Sequence, residues 1–220
     1  MTAEATAKAP AHAAGAGTAL IVHDLKNELG TLEDQLSRLA ADPDPMAAGQ
    51  AHRLCMHLRQ RLVMYLTLYG GTGVLRAHCD DESPAELLDA VARRHHGNDG
   101  IRVIAPADAE CAAAPAWWFL DRRLVEMALD AALHNALRYA RSRIWLTLQS
   151  DNGTLVLGVE DDGPGLGESL AADGNDGTRT GLGTSLCRAV ADAHGPGAAV
   201  HLFNRPTHEG GARFELRLPT

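Results

Sequence analysis

The sequence predicts a helical hairpin followed by an α+β sandwich, a mixed sheet with its helices on one face. Three observations carry this. Val22, Leu25, Leu29, Leu32, Leu36 and Leu39 recur at spacings of 3, 4, 3, 4 and 3, the seam of a coiled-coil-type helix. A second apolar stripe of Leu54, Leu58, Leu62, Tyr65 and Tyr69 follows the break at Asp42-Pro43-Asp44-Pro45. Beyond Gly70-Gly71-Thr72-Gly73 the texture changes to short alternating runs punctuated by turns.

Residues 1–17 are rich in Ala, Thr, Gly and Pro and read as a flexible tail. The first helix starts near Val22 and the second runs from about Met46 to Tyr69, which places the hairpin at 18–70. Two helices with one stripe each bury little alone. Pairing two hairpins into a four-helix bundle solves this, so a homodimer is expected through residues 18–69.

The second domain, 74–220, opens with an expected strand from Val74 to Cys79. Ser83-Pro84-Ala85-Glu86 is an N-cap, a first-turn proline and an acidic first turn, for a helix to about His96. Strands are expected at 101–104 and 116–120, and Asp121 caps a helix reaching about Ala140. Arg143–Gln149 and Thr154–Glu160 flank an Asp151-Asn152-Gly153 turn, a hairpin signal. A Gly-rich stretch from Gly163 to Gly183, a helix over 184–193, and strands over 198–203 and 212–218 complete the pattern.

Of the 220 residues 45% are apolar but only 4% aromatic, so the core is aliphatic. A net charge of −8, from 20 Lys+Arg against 28 Asp+Glu, disfavours a broad nucleic-acid or anionic-membrane footprint. Cys55, Cys79, Cys111 and Cys187 form no CxxC pair and read as buried thiols in a reducing compartment. No run approaches the roughly 20 apolar residues of a membrane span, and the N-terminus is a poor signal peptide. The expectation is a cytoplasmic protein without membrane insertion.

Four constellations carry chemistry. In His23-Asp24-Leu25-Lys26-Asn27, helical phase sets His23 about 130° from the seam, facing solvent, with Asn27 one turn on. Asp24 can hold one ring N–H and leave the other nitrogen's lone pair to attack phosphorus. In His134-Asn135-Ala136-Leu137-Arg138-Tyr139, Asn135 and Arg138 share a helix face, an amide oxygen for Mg²⁺ and a guanidinium for phosphate. Glu160-Asp161-Asp162-Gly163-Pro164-Gly165-Leu166 follows a strand, where a carboxylate can accept from an exocyclic amine such as that of adenine. Thr180-Gly181-Leu182-Gly183 opens a helix whose N-terminal N–H groups suit phosphate. Taken singly, each also fits a solvated helix surface or a plain turn.

Their fixed order resembles the core of two-component sensor histidine kinases. The H box looks like 23–27, the N box like 135–139, the first glycine box like 161–165 and the second like 181–183. The resemblance implies a dimerisation and His-phosphotransfer hairpin joined to a Bergerat-type, gyrase-like ATP-binding domain. It implies that His23 accepts phosphate from ATP, with Asp24 as orienting base. Asn135 then holds Mg²⁺ and Arg138 and Tyr139 lie by the nucleotide. Asp161 reads adenine, and Gly163, Gly165, Gly181, Leu182 and Gly183 shape the pocket. The phosphoryl group passes to a response-regulator receiver domain, a separate sensor or input protein is implied, and Asn27 resembles the residue that orients water for dephosphorylation. Ala131 stands where the family often has a second Asn, and Arg179 where it usually has a glycine. These departures leave an alternative: a dimeric histidine phosphotransferase or regulatory partner with a degenerate ATP-binding domain.

Overall fold

The computed structural model describes residues 11–69, 75–95, 100–166, 182–206 and 210–220. The chain divides into two compact units, Met1–Val63 and Met64–Thr220.

The first unit holds α1 (Ala11–Ala41) and most of α2 (Pro45–Tyr69), whose residues from Met64 on fall in the second unit. Helix α1 begins at Ala11, inside the expected flexible tail; its first turns are alanine-rich, and alanine is the strongest helix former. Both carboxylate oxygens of Asp44 accept from the first turn of α2, at Met46 N (3.0 Å) and Ala47 N (3.3 Å).

The leucine seam divides. Leu25, Leu32 and Leu39, one heptad apart, pack with Ala51, Leu54 and Leu58 of α2. Val22, Leu29 and Leu36, the alternate heptad set, stay 49%, 49% and 53% exposed. The expected face of α2 divides too, because Leu62 and Tyr69 are exposed. The buried stripe instead continues from Leu58 to Arg61, whose guanidinium meets the Glu28 carboxylate of α1. Glu28 Oε2, Gln35 Oε1, and Arg61 Nε and Nη2 are buried without a hydrogen-bond partner among the described residues.

The second unit contains β1 (Asp80–Glu82), α3 (Pro84–Arg94), β2 (Arg102–Ile104), α4 (Asp108–Ala113), β3 (Trp118–Leu120) and α5 (Arg122–Tyr139). These are followed by β4 (Arg143–Asp151), β5 (Thr154–Asp161), α6 (Leu182–Ala193), β6 (Ala199–Asn204) and β7 (Ala212–Pro219). Strands β1 and β3 pair alone; the other five form a mixed sheet in the order β2-β4-β5-β7-β6, with only β2–β4 parallel. The expected strand at 74–79 is shifted. Residues 75–79 are irregular and pairing starts at Asp80, where β3 supplies a partner. Helix α4 has no counterpart among the expected elements.

Elsewhere the local signals act as read. Ser83 Oγ accepts from Glu86 N at 3.4 Å and Asp121 Oδ1 from Leu124 N at 3.0 Å, capping α3 and α5. The β4–β5 hairpin turns through Asn152 and Gly153, both at positive φ (48° and 76°). Asp121 also accepts from His78 N, and its own N–H donates to His194 Nε2 at 3.0 Å. That bond ties the end of α6 to the start of α5.

Period-2 alternation puts Ile144, Leu146 and Leu148 of β4 into the core against the apolar stripe of α5, where Leu124, Val125, Ala128, Leu129 and Leu133 are buried. Each fully buried leucine stabilises the unit by about 1.5–3 kcal/mol. Of the cysteines only Cys187 is buried, a correction to the expectation for all four. Burial pushes its thiol up to about 12.

The opposite face of the sheet carries an alternating ladder of charges. Arg205 pairs with Glu160 (2.9 Å), Glu160 with Arg213 (2.6 Å) and Arg213 with Glu215 (2.8 Å). Glu215 then pairs with Arg217 (3.2 Å), and Arg217 with Asp151 (3.3 Å). No helix among the described residues is long and apolar enough to cross a membrane.

Candidate nucleotide and phosphoacceptor sites

The chemistry-bearing residues fall into two groups, one in each unit. In the first, His23 and Asn27 are both exposed on α1, as the helical phase predicts, and Asn27 Nδ2 lies 3.2 Å from His23 Nδ1. The side chain of Asp24 lies outside the described residues.

The second group gathers at one end of the sheet. Asp161, the last residue of β5, is buried at 6% exposure. Its Oδ1 accepts from Gly163 N (2.8 Å) and Ala212 N (3.2 Å), while Oδ2 has no hydrogen-bond partner among the described residues. A carboxylate so fixed presents one acceptor oxygen in a set direction.

The glycines around it are sterically required. A Cβ on Gly163 would collide with the carbonyl oxygen of Tyr139 at the end of α5. Gly165 sits at φ +81°, and a Cβ there would come within 2.7 Å of Asn204 Oδ1. Close approach thus joins the loop to α5. Asn135, Arg138 and Tyr139 lie on the exposed side of that helix, and the Arg138 guanidinium stands 5.5 Å from the Tyr139 ring centroid.

Helix α6 joins α5 through small residues: a Cβ on Gly183 would meet the Ala131 methyl at 3.9 Å. Leu182 is a core residue at 2% exposure, so it anchors the start of α6 rather than facing a ligand. Gly181 and Arg179 lie outside the described residues. Asn135, with no hydrogen-bond partner among the described residues, retains an uncommitted amide oxygen. That suits Mg²⁺, which takes few protein oxygens and keeps water and phosphate in its shell.

Comparison with known proteins decides the reading of this unit. Residues 120–220 match the family of histidine kinase-, DNA gyrase B-, and HSP90-like ATPases. Residues 120–220 form an ATP-binding domain of the histidine kinase type. The chain is 38% identical over 112 residues to the sensor protein KdpD of Escherichia coli, covering 46% of this chain and 12% of that protein. It is 39% identical over 141 residues to the sensor histidine kinase GtrS of Pseudomonas aeruginosa, covering 60% and 27%. The chain thus spans about a quarter or less of the length of these curated relatives. Among solved structures, the histidine kinase AdeS of Acinetobacter baumannii superposes with a TM-score of 0.62 at 19% identity, over 90% of this chain and 97% of that one. The histidine kinase ThkA, solved in complex with the response regulator TrrA, gives 0.62 at 16% identity over 92% and 60%. ShkA, solved with AMPPNP, gives 0.58 at 17% over 93% and 45%.

Within the ATP-binding domain the structure adds residues that the motifs do not flag. Asp162, beside Asp161 in the acidic run, is a loop anchor. Burial works against its charge, but hydrogen bonds outweigh it and hold the carboxyl well below the usual range. Those bonds come from Ser142 Oγ (2.6 Å), Ser142 N (3.0 Å) and Arg141 N (2.8 Å). Two similar carboxylates one residue apart therefore differ in kind: one is spent on the α5–β4 connection, and the other keeps an oxygen open. Asn204 and Arg205 also touch the loop, from residues too far along the chain for any local motif to include them.

Proposed function

We propose that this chain is an ATP-dependent protein-histidine kinase that phosphorylates itself on His23 and passes the phosphoryl group to a response-regulator aspartate. The observation that carries it is the pairing, in one chain, of an exposed, hydrogen-bonded His23 with an ATP-binding domain whose buried Asp161 keeps one oxygen open. In this reading Asp161 Oδ2 accepts from the adenine amine, and Arg138 and Tyr139 lie along the nucleotide. Gly163, Gly165, Gly181 and Gly183 give its backbone room. Asn135 would hold Mg²⁺, which supplies charge neutralisation on the phosphates.

In the step itself the lone pair on His23 Nε2 forms the N–P bond. The bond from the γ-phosphorus to its bridging oxygen breaks, and ADP leaves with the electron pair. The ring must then carry its proton on Nδ1. As placed, the Asn27 amide N–H faces Nδ1 at 3.2 Å and suits a proton on Nε2; the reactive tautomer needs a half-turn of that amide, which puts Oδ1 where it accepts the Nδ1–H. Asp24, next to His23 in the sequence, would serve as the orienting base. Asn27 also serves the reverse reaction, holding a water against the phospho-aspartate of a docked receiver.

The exposed heptad set Val22, Leu29 and Leu36, with Leu62 and Leu66 on α2, supports a homodimeric four-helix bundle. Four unpaired cysteines suit a reducing cytoplasm, and the input signal then comes from a separate protein or segment. One feature favours the second reading, a phosphotransferase with a degenerate nucleotide site: the methyl of Ala131 against Gly183 offers no polar group where the family often has an amide.

Incubation with γ-labelled ATP tests both. The kinase reading requires acid-labile, base-stable label on the wild type and none on His23→Ala or Asp161→Asn. A wild type that stays unlabelled from ATP, yet accepts label from a phosphorylated receiver on His23, establishes the second reading.

A further inference from the structure

We infer that Asn204 and Arg205, adjacent residues at the end of β6, are positioning residues that set the adenine-reading loop before nucleotide binds. The inference rests on the reading of Asp161 as the adenine acceptor.

The loop from Glu160 to Leu166 is held at both ends by this dipeptide. At its far end Asn204 Oδ1 accepts from Leu166 N at 2.5 Å, and Asn204 Nδ2 donates to Leu166 O at 3.3 Å. One amide thus satisfies both backbone groups of Leu166, as a neighbouring strand would. At the near end Arg205 Nε donates to Glu160 Oε2 at 2.9 Å and Nη1 to the Asp161 carbonyl at 3.3 Å. The guanidinium also lies 4.5 Å from the Trp145 ring centroid, and its side chain is only 12% exposed.

Strand β6 is not a neighbour of β5; β7 lies between them. The two side chains therefore reach past the start of β7, where Arg205 N donates to Gly211 O at 2.9 Å. The next residue, Ala212, supplies the N–H that fixes Asp161 Oδ1 at 3.2 Å. The loop, the Arg205 fork and the backbone behind the carboxylate form one hydrogen-bonded unit. Gly165 belongs to it, since only a residue without a side chain passes beneath the Asn204 oxygen at that φ.

A loop held this way presents the Asp161 oxygen and the Gly163–Gly165 backbone without ordering cost at binding. Loosening either end should lower nucleotide affinity and blur base selection, while leaving the transfer step untouched at saturation. A purely architectural role would lower stability without either effect.

The test uses the full chain as wild type, Asn204→Ala, Asn204→Asp and Arg205→Met, with Leu157→Ala as a control destabilised far from the loop. ATP and GTP binding are measured by calorimetry, autophosphorylation as KM and kcat, and folding by urea unfolding. The expected result is a rise of about tenfold in the ATP Kd and KM for Asn204→Ala and Arg205→Met, with kcat unchanged and a smaller ATP-over-GTP preference. Asn204→Asp, which sets an oxygen against the Leu166 carbonyl, should be at least as impaired as Asn204→Ala. Leu157→Ala should lose stability but keep its KM. Clamp variants that bind ATP and discriminate GTP as the wild type does overturn the inference alone. Affinity that merely follows the urea midpoint, with Leu157→Ala equally weakened, also overturns it. A wild type that binds no ATP overturns the nucleotide reading beneath it, and the inference with it.

Discussion

In the α/β unit Leu87, Leu133, Leu157 and Leu186 are sealed from solvent on every side, and the charges of the ladder on its outer face alternate in sign, each beside an opposite one. In the hairpin, Leu32, Ala51 and Leu58 are the buried cluster; three leucine-seam positions lie half open, and a charged pair occupies the place of a core contact. The first arrangement closes on itself. The second has surplus apolar surface outside and unsatisfied polar atoms inside, the condition of a part completed by association.

The sharpest contrast comes from the sealed core. Leu157→Ala should destabilise the α/β unit by about 2–5 kcal/mol, read as a fall in its urea midpoint, because the surrounding helices and strands cannot collapse into the space. The hairpin responds to charge instead. Arg61→Ala leaves Glu28 without its counterion and should cost about 3 kcal/mol, towards the lower end for a buried pair because Glu28 is 32% exposed. Replacing both residues by leucine should restore or exceed wild-type helix stability by circular dichroism. A double variant weaker than Arg61→Ala would show that the pair is a net stabiliser, and the contrast with the α/β core would shrink.

Acid should separate the units further. Asp162 and Asp121 both titrate below their ordinary range. Burial opposes the charge in each, and hydrogen bonds from Ser142 for Asp162, or from the His78 and Leu124 N–H groups for Asp121, outweigh it. A depressed folded pKa gives stability that is present above the unfolded value, about 3.9, and lost as pH falls towards the folded one. The α/β unit should therefore weaken progressively below about pH 4. Asp162→Asn should remove about 1.5–3 kcal/mol at neutral pH and flatten the acid limb. A wild-type profile as flat as the variant's would count against the anchoring role.

The smallest effect on the protomer should accompany the clearest effect on assembly. Leu29→Ala combined with Leu36→Ala should cost the isolated hairpin under about 1 kcal/mol, since both side chains are already half solvated. The same double variant should weaken self-association at least tenfold by sedimentation equilibrium. A wild type that is monomeric at micromolar concentration removes the homodimer from the proposal.

What could be read from sequence follows the range of the interactions involved. Caps at Ser83 and Asp121, the Asn152-Gly153 turn and the alternation of β4 are decided within a few residues, and they stand where the pattern puts them. The leucine seam was visible, but its division was not: a heptad repeat marks which positions are buried, not whether the same chain or another covers them. Arg61 in the buried stripe of α2 was hidden because a lone arginine between leucines reads as surface. Asp161 stood out by its place at a strand end before glycines. Its neighbour Asp162 could not be told apart, since its partners at Arg141 and Ser142 lie in the preceding connection. Asn204 and Arg205 gain their meaning only through contacts across the sheet.

The charge ladder bears on how this sequence can drift. Arg213 stands between Glu160 and Glu215, and Arg217 between Glu215 and Asp151. A single neutral substitution at Arg213 takes one of two counterions from each of two carboxylates, since Glu160 keeps Arg205 and Glu215 keeps Arg217, so a second change beside it lowers the cost. Positions 160, 205, 213, 215 and 217 are then coupled, a change of charge at one favouring a compensating change at its neighbour. Among descendants of this chain they should covary more tightly than the leucines on the other side of the same strands, which can be replaced one at a time by side chains of similar volume.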